Sequence, residues 1–93
     1  MRTVLRTAVP VDDGLHEVDL RGPVLHVATR HEDIVEFWHL HDDQQDFTTS
    51  RFFVVGTGHA TYPEKAEYVG SAVTPTGRFV WHLWSLKGGA ADG

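Results

Sequence analysis

Apolar residues along this chain recur in short runs, and none of them holds a helical period over a helix-length window. The runs are instead strand-length and bounded by turn residues. "TVLRTAV" (3–9) is β-branched and loosely alternating, and it stops at Pro10 and "VDDG". "LHEVDL" (15–20) alternates weakly, and "RGP" separates it from "VLHVATR" (24–30). A polar "HED" precedes "IVEFWHLH" (34–41), and "DDQQD" (42–46) reads as a loop by composition. "SRFFVVG" (50–56) runs into "TGHATYP", and "PEKAEY" after Pro63 fits one short helical turn. "EYVGSAV" (67–73) and "RFVWHLWSL" (78–86) are joined by "TPTG", a tight-turn sequence. Six or seven short strands with hairpin-length connections predict a mainly β fold. The expected architecture is a small antiparallel β-sandwich or open barrel, with that one helical turn.

Three strands are apolar on both faces. Ile34, Trp38 and Leu40 oppose Val35 and Phe37; Phe52 and Val54 oppose Phe53 and Val55. Phe79, Trp81 and Leu83 oppose Val80, Trp84 and Leu86, so Trp81 and Trp84 point to opposite sides. A single-layer sheet in water is apolar on one face only. Either the second face is covered within the chain, or it meets another subunit. In a chain of 93 residues, which buries a limited share of its surface, the expectation is a homo-oligomer, a dimer or higher.

Size and charge narrow the picture further. Residues 1–87 are expected to form one β domain, and residues 88–93, "GGAADG", lack anything to bury and are expected to be a disordered tail. With 8 Lys+Arg against 13 Asp+Glu, the net charge of −5 gives no general attraction to a nucleic acid polymer or an anionic membrane. No signal-peptide core and no spanning apolar run is present, so a soluble protein is expected. The absence of cysteine removes disulfides, thiolate zinc sites and cysteine nucleophiles, and fits a reducing compartment.

The segments "RFFVVGTGH", "EYVGSAV" and "FVWHLW", in that order, resemble a family of short uncharacterised proteins encoded by bacteriophages and prophages. The resemblance runs from about residue 3 to residue 86 and is specific in the second half of the chain. It implies a phage origin and action in the host cytoplasm. It supplies no reaction and no catalytic residue.

The chemistry concentrates in "VVGTGHATYP". Gly56 and Gly58 permit positive φ and close approach, and successive amides in such a turn form a nest for phosphate. Thr57 adds a hydroxyl and His59 a second donor, while Tyr62 and Trp81 offer aromatic faces and Arg51 a guanidinium. The same glycines equally suit a plain bend, since the Lys-Ser/Thr of a P-loop is missing. Seven histidines invite a metal reading: His39 and His41 share a strand face, with His26, His16 or Asp42 as a third ligand. Without a complete ligand motif, no metal and no cofactor are expected. No nucleophile elbow appears, so no enzyme is expected either. The leading expectation is a non-enzymatic phage accessory (anti-defence) protein binding a small anionic ligand, a nucleotide immune signal. The ligand contacts would be Arg51, Gly56, Thr57, Gly58, His59, Tyr62 and Trp81. The alternative is a protein-binding module that inhibits a host protein through an exposed aromatic face.

Overall fold

The structure is a computed structural model that describes residues 1–59 and 65–87. Its strands are β1 (Arg2–Pro10), β2 (His16–Leu20), β3 (Val24–His31), β4 (Ile34–Asp42), β5 (Thr48–Gly56), β6 (Glu67–Val73) and β7 (Val80–Lys87). They form a three-stranded sheet in the order β1-β4-β3 and a four-stranded sheet in the order β2-β5-β7-β6. Every pairing is antiparallel. Two open sheets face one another, so of the two expected architectures the sandwich is the one adopted. Among the described residues there is no helix. The expected helical turn falls partly on residues 60–64, which lie outside the described residues, and its last two positions, Glu67 and Tyr68, open β6 instead. The tail expected over 88–93 also lies outside them.

The period-two pattern decides which residues meet inside. On β4, Val35 and Phe37 point inward; on β5 Phe52 does, on β7 Leu83 and on β1 Val9. These residues and Leu20 form one buried cluster, with Val24, Val27, Val54 and Trp81 packed against it. The Phe37 and Phe52 rings stand 4.5 Å apart, centroid to centroid, and join the two sheets. Phe53, Trp84 and Tyr68 share one row on the outer face of the four-stranded sheet, set by the pairs Phe53↔Trp84 and Tyr68↔Trp84. Trp81 and Trp84 therefore do lie on opposite faces.

The outer face of the three-stranded sheet carries a charge cluster at its middle. Glu36 sits between Ala8 and Ala28 in register, and these small neighbours leave room for long side chains to fold over it. Arg30 grips the carboxylate with two hydrogen bonds of 2.8 Å, and Arg6 stands 3.6 Å away. Glu36 is only 4% exposed as a result. The Arg30 hydrogen bonds hold its carboxyl below the usual range, against the opposing effect of burial.

Two close approaches shape the sandwich. A Cβ on Gly70 of β6 would come within 2.6 Å of Val27 Cγ2, so glycine lets the edges β3 and β6 cross. A Cβ on Gly22 would lie 2.4 Å from the Leu40 carbonyl oxygen, where the β2–β3 connection runs against β4. That connection is bonded there through Leu40 N–H to Pro23 O and Asp42 N–H to Arg21 O.

His39 is the buried histidine of β4. Its Nε2 meets Thr7 Oγ1 at 3.1 Å, while its Nδ1 has no hydrogen-bond partner among the described residues. Burial, and then the neighbouring His41, push its pKa below the ordinary 6.5. Above that value the ring is neutral in both folded and unfolded chains. Between the ordinary and the lowered value, only the unfolded chain takes up the proton. Acidification through this window therefore destabilises the fold.

Two outcomes follow. Gly70→Ala should cost about 1–3 kcal/mol by overpacking against Val27, and adding Val27→Ala should recover part of that in urea unfolding. Thermal melts from pH 7.5 down to pH 5 should show a smaller loss of stability for His39→Leu than for the unaltered protein. An identical loss would place the titrating group elsewhere.

Candidate ligand-binding cleft

The "VVGTGH" stretch ends β5 in a four-residue turn closed by the His59 N–H donating to Gly56 O at 3.1 Å. Gly58, at its third position, has φ +89°, the left-handed conformation a type II turn requires there. Gly56 does not share it. Its reason is space, because a Cβ there would stand 3.1 Å from His59 Nδ1 and 3.2 Å from Trp81 Cζ3. One glycine serves the bend and the other serves the contact beneath it.

That contact opens into a cleft of about 550 Å³ at one end of the sandwich. Gly56, His59 and Trp81 line it together with Val11, Asp12 and Asp13 of the β1–β2 loop and Val54 of β5. Trp81 is inward-facing and held at both ends. Phe79 stacks on it at 5.2 Å, and its Nε1–H donates to the Glu32 carbonyl oxygen at 2.9 Å. Glu32 lies in the β3–β4 turn, and its carboxylate accepts from the Thr76 N–H (3.2 Å) and hydroxyl (2.9 Å) in the β6–β7 turn. One residue thus ties hairpins from the two sheets together behind the indole. Asp12 Oδ1 accepts from the Gly14 N–H at 2.8 Å and lies 2.8 Å from His16 Nε2. The His16 contact, then the Gly14 amide, lower its pKa and keep it ionised.

Of the seven residues expected to bind ligand, three come together here: Gly56, His59 and Trp81. Gly58 sets the bend and is not among the residues lining this cleft. Thr57 points the other way, its hydroxyl 2.8 Å from His82 Nε2 on the outer face of the four-stranded sheet. Arg51 shares the outward parity of Phe53 and Val55 and stands opposite Glu17 and Leu86. Five residues of strand, about 16 Å, separate it from Gly56. Tyr62 lies outside the described residues. The His59 amide is spent on Gly56 O, so it does not belong to a nest of free donors. In the sequence Asp12, Asp13 and Glu32 signal only turns, since composition marks where a chain bends and not what the bend faces.

A second polar group lies on the outer face. Tyr68 OH and Ser71 Oγ are 2.5 Å apart, Ser71 Oγ is 2.7 Å from His82 Nδ1, and Thr57 completes the row at Nε2. Both ring nitrogens of His82 are thus taken by hydroxyl groups. A hydroxyl in the place of a triad's carboxylate provides no charge to stabilise an imidazolium. The histidines considered as metal ligands are each engaged with other groups. His39 is buried against Thr7, His41 lies 6.3 Å from the Phe47 ring, and His26 lies over Trp38. Among the described residues no group of three or more His, Asp or Glu side chains is placed to hold a metal ion.

A family model described as a domain of unknown function (DUF7352) matches residues 1–92. Neither the curated proteins nor the solved structures compared with the chain give a match.

The turn and the cleft respond to different substitutions. Gly58→Val should destabilise the fold by about 1–2 kcal/mol, the cost of a side chain in the left-handed region, although a Cβ there has open space. His59→Ala should stay within about 0.5 kcal/mol of the unaltered protein. Chemical unfolding of both variants checks the pair.

Proposed function

The chain belongs to the DUF7352 family of domains of unknown function, and from its end cleft we propose that it is a non-enzymatic binding protein for a nucleotide-like small molecule, held base inward. The observation that carries this reading is the meeting of Gly56, His59 and Trp81 with Asp12 and Asp13 around one cleft. Its apolar wall, Val11, Val54 and the Trp81 indole, suits a flat heterocycle. Carboxylates accept hydrogen bonds from the exocyclic amines of bases, as they do in base recognition. The same two aspartates repel a phosphate, so the phosphate end belongs toward solvent, with His59 as the nearest donor. This reverses the orientation expected from the glycine loop alone, which sets the phosphate in the turn. The resemblance to phage-encoded proteins supports the rest of the proposal: an accessory, anti-defence role in the host cytoplasm, with a nucleotide immune signal as the ligand.

One observation favours a second reading, a module that binds a host protein through its aromatic face. On the outer face of the four-stranded sheet Tyr68, edge-on to Trp84, is 57% exposed, and Val73, opposite Val80 at the other end of β6, is 59% exposed. Aromatic residues of this kind are enriched in interface cores.

Thermal shift against a panel of free bases, nucleosides and nucleotides separates the two. A ligand at a hundred times its dissociation constant adds about 2.7 kcal/mol of stability. Nucleosides should raise the melting temperature along with the matching nucleotides, and Asp13→Asn should reduce the shift. Stabilisation by nucleotides alone would restore a phosphate-led site, and no shift across the panel would remove the cleft reading altogether.

A further inference from the structure

Four strands of this sandwich lie at sheet edges, and three are protected. β2 is five residues long. β3 carries register shifts at Val24/His26 and at Ala28/His31. β6 carries one at Tyr68/Gly70, where it crosses Val27 of β3. Short length, bulges and coverage are the usual defences of an edge against further pairing. Among the described residues β1 has none of these three, and of the other defences it carries Arg2, Arg6 and Pro10. It is nine residues long and pairs with β4 in unbroken register from Arg2↔Asp42 to Pro10↔Ile34. Val4 and Leu5 in its middle are 54% and 40% exposed.

The hydrogen bonds at its two ends fix which amides are free. Val11 N–H donates to Asp33 O, and Asp43 N–H donates to Met1 O. Both belong to the β1–β4 ladder, so odd-numbered residues of β1 bond β4 and even-numbered residues aim their backbone groups at the open edge. Pro10 is even-numbered, in keeping with a residue whose missing N–H faces away from the ladder.

We propose that this edge is completed by β1 of a second copy of the chain, antiparallel about a two-fold axis at Leu5. Hydrogen-bonded pairs across the edge must join even-numbered residues to even-numbered ones. Centring the axis on Val4 would oppose Arg2 to Arg6 of the second copy, and centring it on Arg6 would oppose that arginine to itself. Either places like charges directly across from each other, which destabilises a pair. Centring it on Leu5 pairs Val4 with Arg6 and Arg2 with Ala8 of the second copy, keeping the arginines apart. Pro10 then falls beyond the pairing. Leu5 meets Leu5, and Thr3 meets Thr7, on the face that β1 shares with the core residue Val9. The two three-stranded sheets become one continuous six-stranded sheet, and the assembly is closed and isologous. It uses neither the end cleft nor the aromatic outer face, and so stands apart from both functional readings.

The chain contains no cysteine, so a single introduced thiol reports on the axis directly. In this register two Leu5 positions form a non-hydrogen-bonded pair with Cα atoms about 4.5 Å apart, within disulfide reach. Two Thr3 positions stand about 13 Å apart, beyond it. Light scattering at tens of micromolar should give twice the 10.4 kDa chain mass. Mild oxidation should convert most of Leu5→Cys, and little of Thr3→Cys, into a covalent dimer. Val4→Pro, which removes a free-edge donor while leaving the β4 ladder intact, should halve the mass and keep a cooperative melt. A monomeric unaltered protein overturns the proposal. So does a dimer in which Leu5→Cys crosslinks no better than Thr3→Cys, and this comparison decides the matter even if Val4→Pro fails to fold.

Discussion

The contact between the tilted rings of Phe37 and Phe52 is the one on which the molecule depends. It is the only ring pair bridging the two sheets among those described, and both partners are almost wholly buried. β4 and β5 are interior strands of their sheets, so seating these two rings fixes the two layers face to face. Val9, Val35, Leu20 and Leu83 then fill the space around them. The cleft is a consequence of this arrangement. Beyond the cluster Trp81 of β7 lines the cleft, and the Glu32 turn holds it through its indole N–H.

A chain this small achieves closure by spending its glycines at contacts. Gly70 lets β3 cross β6, Gly22 lets the connection lie on β4, and Gly56 makes room for His59 and Trp81. At each a Cβ would crowd a neighbour, the Leu40 backbone at Gly22 and side chains at Gly70 and Gly56. The outer faces are finished differently. On the three-stranded sheet, Arg30 and Arg6 close over Glu36. On the four-stranded sheet, Tyr68, Trp84 and Val73 stay partly in contact with solvent around the Ser71–His82–Thr57 row.

Much of this was legible from alternation. Val35 and Phe37 against Ile34 and Trp38, and Trp81 and Leu83 against Trp84, sorted themselves onto the correct faces because a strand has a period of two. Strand partners were not legible, since alternation says which way a residue points and nothing about its neighbour. Pairing between β5 and β7 brings Gly56 opposite Trp81, and only that register creates the cleft. Parity separates Arg51 from Gly56, five positions apart on one strand, although both suit an anion by their chemistry. The carboxylates of Asp12 and Asp13 looked like turn punctuation until the loop that holds them folded against β5.

Three tryptophans report on three different surfaces: Trp38 on the outer face of one sheet, Trp84 on that of the other, and Trp81 in the cleft. Their indole N–H resonances in a ¹⁵N correlation spectrum, followed during titration with a nucleoside, test the central claim most directly. The account predicts that the Trp81 resonance moves in a saturable way while those of Trp38 and Trp84 stay fixed. Saturable movement of Trp84 with Trp81 unmoved would contradict it, and would hand the ligand to the aromatic face.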